Sequence, residues 1–164
     1  MTDTTKNHTR VERTSERELV VTRLVNGPAH LVFRAWISPD LFQRWWIPKS
    51  ADIAFVSCDM DVRTGGAYRL VFRHPASEEP IAFFGRYLEV IPSQRIVWTN
   101  EEGGEDGPVT TVTFEALGDQ TQVTLRDLYP SKDALDAAVE SGSVSGYDAQ
   151  FDQLDALIGD LDAT

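Results

Sequence analysis

Alternation between apolar and polar residues dominates the middle of the chain. From Ile53 onward, apolar side chains recur at nearly every second position, which is the period of a β-strand with one buried face. Clusters of glycine, proline and aspartate interrupt this pattern at short intervals and are typical of turns. The pattern therefore predicts consecutive strands joined by short connections, in an antiparallel meander. The predicted strands are Ile53–Val62, Ala67–His74, Ile81–Val90, Arg95–Glu101, Val109–Leu117 and Gln122–Leu128.

The segments on either side of this meander have other patterns. Upstream, the segment that begins at Glu18 has the β-branched content of a strand, and two short helices are predicted after it. The first helix carries apolar residues at helical spacing from Leu31 to Trp36, and the second begins at Ser38-Pro39. Downstream, apolar residues recur three or four positions apart, which predicts a long amphipathic helix. These residues are Tyr147, Phe151, Leu154, Ile158 and Leu161.

This order of elements predicts an α+β domain with two layers. An antiparallel sheet with one apolar face needs helices to cover that face. We therefore expect a curved antiparallel sheet of about seven strands, wrapped on a long C-terminal helix, with two short helices after the first strand. A single domain is predicted for residues 17–164. Residues 1–16 are polar and are expected to form a disordered tail, because they contain too few apolar side chains to offset their ordering entropy.

Two adjacent tryptophans, Trp45 and Trp46, lie at the end of the second predicted helix. Neighbouring helical residues point about 100° apart, so the two rings cannot both occupy the middle of one narrow apolar stripe. We assign Trp45 to the core and Trp46 to the rim of a cavity. The alternative is that both rings are buried in the core, which is how a small domain commonly gains stability.

Strand alternation places an unusual number of aromatic residues on one face of the predicted sheet. The opposite face carries arginines, which belong in water. An apolar concave face with a few polar groups is typical of a pocket for a small molecule, whereas a fully packed core is the alternative. The predicted ligand-binding residues are Trp46, Tyr68, Phe72, Tyr87, Trp98, Phe114, Tyr147 and Phe151. The predicted outward-facing arginines are Arg69, Arg73, Arg86, Arg95 and Arg126.

Charge and composition restrict the classes of partner. A net charge of −11 opposes binding to phosphate backbones and anionic lipid headgroups, so we expect neither nucleic acid nor a membrane as partner. No apolar run is long enough to cross a bilayer and no signal segment is recognisable, which predicts a soluble, cytoplasmic protein. The single cysteine, Cys58, is expected to be a buried or half-buried thiol rather than a nucleophile. The histidines lack metal-site spacing, and neither a metal nor a cofactor is predicted.

Several motifs along the chain resemble a known family. They are the tryptophan pair, Asp-x-Arg-x-Gly-Gly at Asp61–Gly66, and Gly-x-Tyr-x-Glu-Val-x-Pro at Gly85–Pro92. In this order they resemble the bacterial SRPBCC proteins of the heat-shock ATPase activator homologue (Aha-type) group. The resemblance implies a START-like helix-grip fold, also known from the birch-pollen allergen, with an apolar cavity between sheet and C-terminal helix. It also implies a mixed range of roles that includes small-molecule binders and a co-chaperone domain.

Three functional hypotheses follow. We favour non-catalytic binding of a hydrophobic or aromatic small molecule between the sheet and the last helix. The resemblance implies a second role, in which the domain contacts a heat-shock chaperone and modulates its ATPase. The exposed sheet face would also allow a homodimer. The third hypothesis is a cyclase or hydrolase that uses His74 or Asp127 as acid or base, although we assign no residue a catalytic role. His74 precedes a proline at a strand end and is expected to be an exposed turn residue.

Overall fold

The computed structural model describes residues 9–47, 53–76, 78–101, 107–141 and 146–162. These ranges contain eight β-strands and four α-helices. The strands are β1 (Arg10–Arg13), β2 (Glu18–Val25), β3 (Ala54–Met60), β4 (Ala67–Arg73), β5 (Ile81–Ile91), β6 (Arg95–Thr99), β7 (Val109–Leu117) and β8 (Gln120–Leu128). The helices are α1 (Ala29–Ile37), α2 (Pro39–Trp45), α3 (Lys132–Glu140) and α4 (Tyr147–Asp162).

All eight strands form one antiparallel sheet in the order β1-β2-β8-β7-β6-β5-β4-β3. Strands β3 to β8 pair with their neighbours in the sequence, as a meander requires, whereas β2 pairs with β8 from Glu18 opposite Leu128. Irregular register between Phe55 and Ser57, and between Tyr87 and Glu89, interrupts the ladders. Such bulges bend strands and increase their twist, and the sheet is curved. The predicted fold class is confirmed.

Strand β1 is an element that the sequence pattern does not predict. Arg10–Arg13 pairs with β2, with Arg10 opposite Thr22 and Arg13 opposite Leu19. The prediction of a disordered tail is therefore wrong for these four residues, and the sheet has eight strands rather than about seven. All four side chains are exposed, so backbone hydrogen bonds rather than apolar burial hold the strand, and no hydrophobic pattern marks it. Residues 1–8 of the predicted tail lie outside the described residues.

The two short helices begin and end as their local sequence dictates. Helix α2 has Ser38 at its N-cap and a proline at its first position, where the missing N–H has no helical partner to lose. Helix α1 buries the apolar face that runs from Leu31 to Trp36. The indole Nε1–H of Trp45 donates to the carbonyl oxygen of Ala35 at 2.9 Å, which ties α2 to α1 inside the core.

Helix α4 covers part of the concave face of the sheet and packs against α1, α2 and β2. Phe151, Leu154 and Ile158 are buried on its inner side, as their spacing predicts. No helix within the described ranges has both the length and the hydropathy needed to span a bilayer.

An ion-pair cluster joins α4 to β2. Arg23 is only 1% exposed, and its guanidinium Nη1 and Nη2 lie 2.8 Å from Asp152 Oδ1 and 3.1 Å from Asp155 Oδ2. A third carboxylate, Asp148, lies 4.0 Å away but is largely exposed. Helix α4 contains no lysine or arginine, so Arg23 supplies the positive charge that its acidic side faces. The planar guanidinium presents its donors in a rigid fork that reaches two carboxylates in fixed directions, whereas an ammonium group is a compact point charge.

Candidate functional site

A cavity of about 320 Å³ lies between the concave face of the sheet and the helices. Every strand from β3 to β8 contributes to its wall, together with α1, the α2 end and α4. Most of the wall is aromatic or aliphatic, and a smaller group of polar side chains lies at one end. The aromatic lining residues are Trp36, Phe42, Trp46, Tyr68, Phe72, Phe83, Tyr87, Trp98, Tyr129 and Tyr147. The polar lining residues are Asn100, Thr110, Asp127 and Gln150.

Most of the predicted ligand-binding residues meet at this cavity. Those in its wall are Trp46, Tyr68, Phe72, Tyr87, Trp98 and Tyr147. Phe114 and Phe151 are not part of the wall. Both contact the ring of Trp36, which does line the cavity, with centroid distances of 6.0 Å from Phe114 and 6.2 Å from Phe151. Alternation predicts which face a residue occupies, but it does not show which ring covers another. A binding role for these side chains remains a prediction.

The two adjacent tryptophans divide as the helical geometry predicts. Trp45 is completely buried, whereas Trp46 is half-buried, stacks on Phe42 with ring centroids 4.7 Å apart, and lines the cavity. Side-chain amides of α4 bind the C-terminal end of α2. Gln150 Nε2 donates to the Trp46 carbonyl, and Gln153 Nε2 donates to the Trp45 carbonyl. Carbonyls at a helix C-terminus lack intrahelical donors, and α4 supplies them here.

Trp36 is a central residue of the site that is absent from the predicted set. It is 2% exposed, and its ring centroid lies 4.6 Å from that of Trp45 and 6.0 Å from that of Trp98. Its indole Nε1–H has no hydrogen-bond acceptor among the residues that the structure describes. A buried donor without an acceptor is unusual in a folded protein. The Ala35-Trp36 pair at the end of a helical stripe signals a buried ring but not its position against the cavity.

The polar end of the cavity is a directed hydrogen-bond network. Asn100 Nδ2 donates to the carbonyl oxygen of Pro108 at 2.9 Å and to Thr110 Oγ1 at 3.0 Å. Thr110 Oγ1 in turn donates to Asp127 Oδ1 at 2.5 Å, and Tyr147 Oη donates to Asp127 Oδ2 at 2.8 Å. Thr110 and Asp127 face each other in the β7–β8 ladder, so the sheet register creates the contact.

Burial changes the acidity of these groups. Burial raises the pKa of Asp127, and the hydrogen bonds from Thr110 and Tyr147 oppose that rise without cancelling it. Burial, and then the nearby Asp127 carboxyl, raise the pKa of Tyr129 to about 12 and hold the pKa of Tyr147 well above its usual range. The tyrosine hydroxyls are therefore neutral at physiological pH. Asp127 is the only carboxyl group in the cavity wall that the structure describes, and that wall contains no lysine, arginine or histidine.

His74 and Cys58 lie outside the wall of this cavity. His74 Nδ1 accepts a hydrogen bond from the backbone N–H of Ala76 at 3.0 Å, so this half-buried side chain closes a local turn. Burial raises the pKa of the Cys58 thiol to about 11, and Asp59 and Asp40 add to the rise, so the thiol is a poor nucleophile. Across the described ranges, no three histidine, cysteine or acidic side chains converge as a metal site would require.

The fold and the cavity together define a START-like domain, and the comparisons with known proteins place it in a family. Residues 26–159 match the family described as Activator of Hsp90 ATPase homolog 1-like protein. This match covers most of the chain, so the chain belongs to that family, and the resemblance found in the sequence is confirmed. A comparison with functionally curated proteins finds no significant match.

Solved bacterial structures share the fold. A protein from Rhodobacter sphaeroides has a TM-score of 0.84 at 18% identity, over 93% of this chain and 99% of its own. A protein from Nitrosomonas europaea has a TM-score of 0.81 at 22% identity, over 93% of this chain and 100% of its own. An AHSA1-like protein from Aeromonas hydrophila has a TM-score of 0.69 at 16% identity, over 88% and 95% of the two chains. At these identities the likeness concerns the fold alone.

Proposed function

We propose that this domain binds a hydrophobic or aromatic small molecule in the cavity and does not catalyse its conversion. The observation that carries the proposal is a cavity of about 320 Å³ with aromatic walls and a few polar groups at one end. A fully packed core would leave no such space. Pockets for small molecules have this composition, in which apolar walls supply affinity and a few polar groups fix orientation.

The size of the cavity limits the ligand. Ligand pockets commonly measure roughly 300–1,000 Å³, so a volume of about 320 Å³ suits a compact molecule of one or two fused rings. Burying apolar surface contributes about 25 cal/mol per Å², from which the loss of ligand motion must be subtracted. Trp98 and Tyr87 face each other across the β5–β6 ladder and offer large, rigid surfaces to such a ring.

Native mass spectrometry of the protein purified from its own host tests this proposal. We expect a small molecule that remains bound under mild ionisation and is lost on denaturation. A matched pair of variants localises it. Leu70→Trp adds a ring at a buried wall position and should abolish retention, whereas Leu128→Trp adds the same ring at an exposed position and should not. Equal retention by both variants would refute binding in this cavity, provided that thermal melting shows both to be folded.

Modulation of a heat-shock chaperone ATPase is a second candidate, favoured by the family description. Two apolar side chains of β5, Phe84 and Leu88, are 40% and 47% exposed and would suit contact with a protein partner or with a second copy of this chain. Addition of this protein to its host's Hsp90-type chaperone, with ATP turnover measured, tests the first idea. Phe84→Ser should weaken any effect. Analytical ultracentrifugation tests the homodimer.

The enzyme hypothesis retains one candidate group. His74 is outside the cavity wall, so it would not reach a ligand held there. Asp127 lines the cavity with a raised pKa, which is a property of many catalytic acids and also of buried structural carboxyls. A ligand that native mass spectrometry recovers chemically unchanged after incubation with the protein would support binding over catalysis.

A further inference from the structure

Asp127 is an unusual group to find in an aromatic cavity. It is 7% exposed, and among the described lining residues it is the only carboxyl group, with no lysine, arginine or histidine beside it in the wall. Burying a carboxylate without a positive partner is unfavourable, and hydrogen bonds from neutral donors offset only part of that penalty. Elsewhere in the domain a buried charge has partners of opposite sign, because Arg23 pairs with two aspartates where β2 meets α4. Among the lining residues that the structure describes, no such cation accompanies Asp127.

The hydrogen-bond network fixes how Asp127 faces the cavity. Asn100 must direct its amide nitrogen at the carbonyl oxygen of Pro108, and the same nitrogen donates to Thr110 Oγ1. The hydroxyl hydrogen of Thr110 is therefore left for Asp127 Oδ1, which acts as an acceptor. Tyr147 supplies one donor to Oδ2. A carboxylate has about four acceptor positions, so Asp127 keeps acceptor capacity beyond these two hydrogen bonds.

The walls complement this group. Tyr68, Tyr87, Trp46 and Trp98 line the same cavity. The faces of aromatic rings attract cations, most strongly where water is excluded. A ligand with a positively charged nitrogen would find a carboxylate at one end of the cavity and electron-rich rings around it. A carboxylate or phosphate ligand would meet the like charge of Asp127 and no basic side chain in the described wall.

Resting on the proposed function, we propose that the cavity selects a compact aromatic or apolar amine, whose ammonium group pairs with Asp127 while its apolar part lies against the aromatic walls. Asp127 would then determine which class of small molecule is bound, and the aromatic residues would supply most of the affinity.

Calorimetric titration with three probes of one shape tests the inference. Naphthylmethylamine, naphthylmethanol and naphthoic acid differ in charge and share an aromatic body. A hydrogen bond to a charged group contributes more than a neutral one, so we expect the amine to bind about tenfold or more tightly than the alcohol, and the acid to bind most weakly. Asp127→Asn should remove the preference for the amine and preserve binding of the alcohol. Glu115→Gln makes the same change of charge at an exposed position on β7 and should leave the order of affinities unchanged.

The outcomes separate this inference from the proposed function. If the alcohol binds as tightly as the amine in the unmodified protein, selection for amines is refuted and aromatic binding stands. If the amine keeps its advantage in Asp127→Asn, the assignment to Asp127 is refuted. If none of the three probes binds, the proposed function fails for ligands of this size and the inference fails with it. Binding of the alcohol to Asp127→Asn also shows that this variant retains its cavity.

Discussion

Replacement of Arg23 by methionine tests the energetic importance of the ion-pair cluster between β2 and α4. Methionine has similar length and retains apolar contacts, but it removes the charge that Asp152 and Asp155 face. The two aspartates are 28% and 15% exposed, so water can screen them only in part. They also lie three positions apart on one helix, where like charges repel.

The contacts set the expected magnitude. Removing one partner of a buried ion pair destabilises a protein by about 3–5 kcal/mol, because the remaining charge loses its compensation. Two charge-assisted hydrogen bonds, at about 1.5–3 kcal/mol each, give a similar total. For a domain of this size, each kcal/mol lowers the melting temperature by about 2–4 °C. We therefore expect Arg23→Met to melt about 6–20 °C below the unmodified protein.

Urea unfolding followed by circular dichroism and tryptophan fluorescence measures this change, provided that the two transitions coincide. Arg126→Met is the matched control. Arg126 is on the neighbouring strand β8, its side chain is 49% exposed, and its contact with Glu18 spans 3.5 Å, so its loss should change the free energy of unfolding by less than about 1 kcal/mol. Similar destabilisation by the two variants would refute the reasoning. Adding Asp155→Asn to Arg23→Met should restore part of the stability.

Three further expectations concern single residues. Burial raises the pKa of Asp127, so its contribution to stability is complete below the ordinary value of 3.8 and is lost as pH rises through the higher folded-state pKa. Asp127→Asn should therefore gain stability over the unmodified protein as pH rises, and a constant difference in urea midpoints would contradict this. Gly85→Ala should destabilise by about 1–3 kcal/mol in the same assay, because a Cβ there would lie 2.1 Å from the carbonyl oxygen of Thr99. Cys58, whose pKa is raised to about 11, should react with iodoacetamide much more slowly in the folded protein than in urea, and equal rates would show the thiol to be activated or exposed.

Periodicity was sufficient to predict most of the architecture. The predicted strand Val109–Leu117 has the same bounds in the structure, and β8 begins two residues earlier, at Gln120, than its alternation indicates. Helix α4 begins at Tyr147, where the apolar stripe begins. Each of these elements buries one face, so the spacing of its apolar residues predicts which side chains are buried.

Features that depend on backbone hydrogen bonds or ion pairs cannot be predicted from the spacing of apolar residues. Strand β1 is held by its backbone, and its exposed side chains resemble those of a polar tail. Arg23 occupies an inward position between Val21 and Val25, where alternation favours an apolar residue. That departure from the pattern marks a buried charge, but the partners on α4 become evident only when the helix is packed.

The candidate site was predictable to a similar degree. Aromatic residues on one face of the sheet predicted most of the cavity wall, because alternation assigns faces. The contact of Phe114 with Trp36, rather than with the cavity, depends on packing between layers, which no local pattern specifies. The contact between Thr110 and Asp127 depends on strand register, which a hydrophobic pattern restricts but does not fix to the residue.

The pairing of β2 with β8 has a consequence for how the protein acquires its shape during synthesis. Hairpins among β3 to β8 join neighbours in the sequence, whereas Glu18 must wait for Leu128 before its strand can dock. Long-range contacts of this kind form slowly, because closing the intervening loop costs chain entropy before the contacts contribute any stabilisation. Helix α4 follows all eight described strands in the sequence, so it is synthesised after them. Until α4 packs, the apolar concave face of the nascent sheet is not covered by this helix. The cavity wall is complete only after α4 has packed, because Tyr147 and Gln150 belong to it, so binding of a small molecule there must follow this late step.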